Sequence, residues 1–131
     1  MTTAQDLVAQ ARANIREIGI EELLSLQRAG VPVIDVREPE EYAAGHLPGA
    51  ISIPRGVLEF EVDGHPAVNC RRDPALAHRD APLVLHCRSG GRSALAADAL
   101  RRLGFAQPLS LAGGLNAWLA AGRPLATGRE P

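Results

Sequence analysis

The chain has 131 residues, 46% of them apolar, and a formal net charge of −1. That fits one domain with a single core and gives no general attraction to nucleic acid. Two distantly spaced cysteines argue against a disulfide framework or a zinc site, and no apolar run is long enough to span a bilayer. Aromatic residues are only 3%, so Leu, Val, Ile and Ala must fill the core. No basic start followed by an apolar run marks a secretory signal. The expected compartment is the cytoplasm, where a thiol stays reduced.

Leu7, Val8, Ala11 and Ile15 recur at helical spacing and predict an opening amphipathic helix. A short strand is expected near Ile15 to Ile18. Glu21 to Ala29 reads as a second helix, ended by Gly30. Pro32 to Val36 reads as a buried strand with Asp35 at its carboxyl end. Pro39 suits the first turn of the next helix, with Glu38, Glu40 and Glu41 near its positive end, and Gly45 closes it. Ala50 to Ile53 follows the Pro48-Gly49 turn as a third strand. From Pro54 to Asp80 the pattern is irregular and predicts short helices and loops.

Pro82 to Cys87 is the next strand, and its continuous Leu83-Val84-Leu85 run suits a parallel strand covered on both faces. Ser93 to Leu103 is an Ala- and Leu-rich helix capped by Gly104. Pro108 to Ala112 is another strand, and Leu115 to Ala121 a last helix closed by Gly122. This alternation predicts an α/β domain with a mainly parallel sheet. Ligands of such sheets bind beyond the carboxyl ends of the strands, where Cys87 falls.

The segment Cys87-Arg88-Ser89-Gly90-Gly91-Arg92-Ser93 joins that strand to a helix. Backbone N–H groups at a helix start lack intrahelical partners, and the dipole there favours negative charge. Gly90 and Gly91 let successive N–H groups turn inward, so an anion nest is expected around the Cys87 sulfur. Such a nest should lower the thiol pKa and supply thiolate without a dedicated base. All fourteen basic residues are Arg. Arg92 breaks a local rule by placing a cation in the first turn, which marks it as a candidate functional residue. Arg88 and Arg92 would together attract a small oxyanion.

Other polar residues carry less. His86 is adjacent to Cys87 on a strand, so the two side chains face opposite ways and His86 cannot act as its base. Cys70, before Arg71-Arg72, reads as an incidental loop thiol. Glu59, Glu61, Asp63 and His65 form no defensible metal spacing and read as a solvated acidic loop. No metal and no cofactor is expected.

Three motifs resemble the rhodanese family. The first is Asp35-Val36-Arg37-Glu38-Pro39-Glu40-Glu41-Tyr42, followed by Gly45-His46-Leu47-Pro48-Gly49-Ala50. The second is the loop pattern Cys87, Gly90 and Arg92. The third is Gly113-Gly114-Leu115-Asn116-Ala117-Trp118. The resemblance implies a rhodanese-like fold, a five-stranded mainly parallel sheet with helices on both faces. It divides the chain into a helical extension at 1–14, the family domain at 15–126 and a tail at 127–131. It also implies a sulfurtransferase in which Cys87 takes sulfur from a donor such as thiosulfate and passes it to cyanide or a thiol acceptor. A persulfide on Cys87 would be anionic and would suit the nest. Substrate would meet Arg88, Ser89, Gly90, Gly91 and Arg92, with Asp35 and Arg37 supporting the loop. His46, Gly49 and Trp118 would be fold elements. One alternative is a sulfur-carrier or sensing module served by a partner protein. Another is a cysteine phosphatase or arsenate reductase. Those phosphatases place five residues between Cys and Arg, whereas Cys87 and Arg92 have four between them.

Overall fold

The computed structural model describes residues 1–131. Helix α1 (Ala4–Asn14) leads to β1 (Arg16–Ile18), α2 (Ile20–Arg28), β2 (Val33–Asp35), α3 (Pro39–Ala44) and β3 (Ile51–Ser52). Then come α4 (Leu58–Asp63), β4 (Pro82–His86), α5 (Gly91–Arg102), β5 (Gln107–Leu111) and α6 (Gly114–Ala120). The strands form one sheet in the order β1-β5-β4-β2-β3. Every neighbouring pair is parallel, so the sheet is wholly rather than mainly parallel. Its order reverses direction between β2 and β4, and the crevice beyond that point is where such sheets bind ligands. Asp35 and His86 are register partners there, one step before Cys87.

Alternation along β4 divides the core. Leu83, Leu85 and Cys87 pack with Leu58 and Val62 of α4 and with Ala96, Ala97 and Leu100 of α5. Val84 faces the other way and joins Leu23 of α2, Tyr42 of α3, and Leu115 and Trp118 of α6. Both faces are therefore covered, as the continuous apolar run requires. The segment between α4 and β4 is irregular but packed, because Val68 and Leu76 in its 3-10 turns are buried.

The ends show where pattern and packing differ. Helix α1 has a capping box between Thr3 and Asp6. Its expected stripe holds only in part: Ala11 is buried and Val8 half-buried, but Leu7 is 49% exposed. A helix lying across a single neighbour, α5, buries a narrow strip. Helix α5 starts at Gly91, two residues earlier than the apolar pattern suggests, with Gly90 as a left-handed N-cap whose carbonyl accepts from the Ala94 amide at 3.1 Å. At the other end, the Gly49 amide donates to the Pro131 carbonyl at 2.9 Å and Gly128 donates to Ala43 at 2.9 Å. His46 stacks on Tyr42, and its ring nitrogens reach the carbonyls of Tyr42 at 2.8 Å and Glu130 at 2.9 Å. The last residues thus lie against α3.

Candidate active site

Cys87 is the first residue past β4 and is 1% exposed. Its sulfur forms the floor of the loop, while Arg88 and Ser89 are exposed at the rim. The Gly90 amide donates to Sγ at 3.1 Å. The Ser93 oxygen lies 3.6 Å from Sγ and accepts from the thiol, while its own hydroxyl donates to the Gly90 carbonyl at 3.3 Å and would turn to donate to a thiolate. That hydroxyl is itself 2.8 Å from the Ser110 hydroxyl of β5. Burial pushes the Cys87 thiol up. The amides of Ser93, Gly90 and Ser89, with the Ser93 hydroxyl, pull it down, and the net shift is below the ordinary thiol value.

The loop is clamped from behind. Leu115 and Asn116, in the first turn of α6, donate their amides to the carbonyls of Cys87 at 2.8 Å and Arg88 at 3.0 Å. This approach requires glycine at 114. A Cβ there would lie 2.4 Å from the Cys87 carbonyl oxygen, and its φ is +52°. Gly90 is less tightly confined. At φ +107°, a Cβ would meet the Arg12 guanidinium of α1 at 3.3 Å and the Gly113 amide at 3.5 Å.

Two ion pairs flank the nest. Arg37 and Asp35 are both buried. The Asp35 carboxylate accepts from the Arg37 backbone amide at 2.9 Å and from its guanidinium at 2.8–3.1 Å. Arg37 also donates to the Gly45 carbonyl at 2.7 Å, tying β2 to the end of α3. On the outside, Arg92 forks onto Glu41 at 2.8 and 3.2 Å. The Arg92 hydrogen bond holds the Glu41 carboxyl down to about 2. Glu41 also accepts from the Glu38 amide at 3.1 Å, so one carboxylate caps α3 and compensates the cation in the first turn of α5. Arg88 has no carboxylate partner.

The wider likeness agrees with this geometry. The family model for the rhodanese-like domain matches residues 20–121. The chain belongs to the rhodanese family. Among its relatives is the thiosulfate sulfurtransferase GlpE of Pseudomonas entomophila, 33% identical over 81% of this chain and 86% of that protein. Among solved structures, the human single-domain sulfurtransferase TSTD1 is 32% identical with a TM-score of 0.69, over 79% of this chain and 95% of that one. A Rhodopseudomonas palustris protein described as a possible tyrosine phosphatase is 30% identical with a TM-score of 0.82, over 96% of each chain. The chain is a rhodanese-type enzyme, a sulfurtransferase.

Within this rhodanese, the structure brings Cys87, Ser89, Gly90 and Ser93 together around one sulfur. Gly91 opens α5 and Arg92 follows it, turned to Glu41 rather than left open to an oxyanion. Asp35 and Arg37 sit one strand over. His86 faces away from the sulfur, as strand alternation requires. Burial lowers its pKa, and a neutral ring reaches the Cys87 carbonyl at 3.3 Å only by donating from Nδ1. Its Nε2 is left unbonded, 3.7 Å from Asp35. Glu59, Glu61 and Asp63 pair with Arg55, Arg71 and Arg79. Sequence reasoning missed Ser93, Ser110 and Glu41 as parts of the site. Ser93 stood inside the motif and could have been found. Ser110 carried no local signal.

Proposed function

We propose that Cys87 is the nucleophile of this rhodanese and carries sulfur as a persulfide. The Cys87 thiolate attacks the outer sulfur of a donor such as thiosulfate. The new S–S bond forms as the donor's own S–S bond breaks, and sulfite leaves with the electron pair. An acceptor, cyanide or a thiolate, then attacks the outer sulfur and returns Cys87 to thiolate. No cofactor enters either step. The carrying observation is the Gly90 amide 3.1 Å from Sγ, which stabilises negative charge before and after transfer. The amides from Arg88 to Arg92 cradle the transferred sulfur, Arg88 meets the anionic donor, and Asp35 and Arg37 hold the loop. A reducing compartment such as the cytoplasm suits the reaction, because Cys87 starts as a free thiol.

A phosphatase reading is disfavoured on two counts. The loop from Cys87 to Arg92 is one residue short of the phosphatase ring, and the Arg92 fork that would hold phosphate is taken by Glu41. Incubation with thiosulfate followed by mass spectrometry tests the proposal. One added sulfur on Cys87 is expected, with turnover of an aryl phosphate at background. No adduct, together with undiminished sulfur transfer in Cys87→Ala, overturns it. An adduct formed only from a partner protein, and not from small donors, would make the chain a carrier module instead.

A further inference from the structure

Helix α1 lies outside residues 20–121, where the family model matches, yet it reaches the Cys87 loop. Val8 and Arg12, one helical turn apart, are set against the two glycines of that loop. At Gly91 a Cβ would meet Val8 Cγ2 at 3.7 Å, an ordinary contact. At Gly90 it would meet Arg12 Nη2 at 3.3 Å, nearer than the Gly113 amide at 3.5 Å or the Leu111 carbonyl at 3.7 Å. The Arg12 guanidinium thus covers the point where the Cys87 loop, the start of α6 and the end of β5 meet. Its Nε donates to Glu17 of β1 at 3.2 Å, which orients the side chain. Arg12 itself is 43% exposed, whereas Gly90 beneath it is buried.

The cover matters because of what Gly90 does. Its amide donates to Sγ at 3.1 Å from a backbone with φ +107°. Glycine has the widest backbone freedom of any residue, so its neighbours must hold that conformation. The carbonyl of Gly90 is held by the Ala94 amide at 3.1 Å. The clamp of α6 fixes the carbonyls of Cys87 and Arg88 but makes no backbone hydrogen bond to Gly90. On its Cα side, the nearest restraint is Arg12. We propose that Arg12 is a positioning residue for the sulfur chemistry, which covers the Cα side of Gly90 and keeps the Gly90 amide aimed at Sγ. The proposal rests on Cys87 as the sulfur carrier. Arg12 acts through Gly90 and meets neither donor nor acceptor. A helix added to the family domain thereby takes part in holding the nest.

Two variants of the whole chain test this. Arg12→Ala uncovers Gly90, whereas Glu17→Gln removes the charge from the ion pair but keeps an acceptor for Nε. In Arg12→Ala, hydrogen exchange of the Gly90 amide, followed by NMR, is expected to speed up at least about tenfold. The pH midpoint of iodoacetamide alkylation, read on the Cys87 peptide, should rise by about half a unit, because a donor to the thiolate is weakened. With thiosulfate as donor, kcat should fall about threefold while KM stays within about twofold, since Arg12 does not touch the donor. Glu17→Gln should leave exchange and midpoint near those of the wild type. Unchanged Gly90 exchange and midpoint in Arg12→Ala overturn the proposal. An equal change in Glu17→Gln assigns the effect to the ion pair and also overturns it. So does exchange that rises as much at Ala97, inside α5, as at Gly90, because α1 has then simply come loose. Exchange and alkylation need no sulfur transfer. If the wild-type protein takes no sulfur from thiosulfate, the carrier role of Cys87 falls, while the Gly90 measurements still judge Arg12.

Discussion

The two cysteines of this chain occupy opposite environments. Cys70 is exposed, in an irregular segment, with a left-handed φ of 57°. Cys87 is buried at the end of the central strand, with an amide and a hydroxyl turned to its sulfur. Accessibility alone would favour Cys70 as the reactive thiol. We propose the chemistry on Cys87 instead, because thiolate is made by donors that stabilise its charge rather than by contact with solvent. The comparison also separates two ways of placing a residue outside ordinary backbone space. Near Cys70 the positive φ serves a turn. At Gly90 and Gly114 it brings backbone close to backbone around Cys87.

The contrast breaks most directly at the sulfur atoms. Cys87→Ala is expected to lower thiosulfate-dependent sulfur transfer by at least about 10³-fold, whereas Cys70→Ser should stay within about twofold in the same assay. Comparable losses in both would abolish the distinction. Next in size is Gly114→Ala. The added methyl would overlap the Cys87 carbonyl in a left-handed backbone, so thermal or urea unfolding should report a loss of ~2–3 kcal/mol. Wild-type stability in that variant would mean that the clamp of α6 yields freely.

Ser93→Ala removes the hydroxyl beside the sulfur but leaves the amides. The pH midpoint of Cys87 alkylation by iodoacetamide should rise by about one unit, since hydrogen bonds to charged groups are worth ~1.5–3 kcal/mol. An unmoved midpoint would assign the whole effect to the backbone. The smallest expected effect is at Glu41. Its folded pKa of about 2 lies below the ordinary 4.5, so its pair with Arg92 stabilises fully above about pH 4.5 and is lost as pH falls through about 2. Both side chains are partly exposed, so Glu41→Gln should cost under ~1 kcal/mol at pH 7. The gap from wild type in chemical denaturation should close between those two pH values. A gap that is constant across that window would show that the carboxylate charge is not what stabilises the pair.

Much of the fold was legible because its signals are local. Leu83-Val84-Leu85 announced a strand covered on both faces, and Pro39 with its acidic neighbours announced a helix start. The nest could be read from two glycines at a helix start, and the Gly90 amide is turned to the sulfur as that reading expects, but the Ser93 donors lie outside it. The boundary of α5 was less legible, because Gly91 and Arg92 carry no apolar pattern. Arg92 pairs with a residue 51 positions away, and no local spacing rule reports such a contact. Ser110 faces Ser93 only because β5 lies beside β4, a result of sheet order rather than of either segment. The Gly113-Gly114 pair could be seen as a turn, but its grip on the Cys87 carbonyl emerges only once α6 has docked.

That grip has a consequence for how the protein is made. Synthesis delivers Cys87, its glycines and the start of α5 well before Gly113 to Asn116. Until those residues arrive, the carbonyls of Cys87 and Arg88 lack the amides that fix them. The ribosome therefore releases the Cys87 loop before it releases the piece that holds it in order.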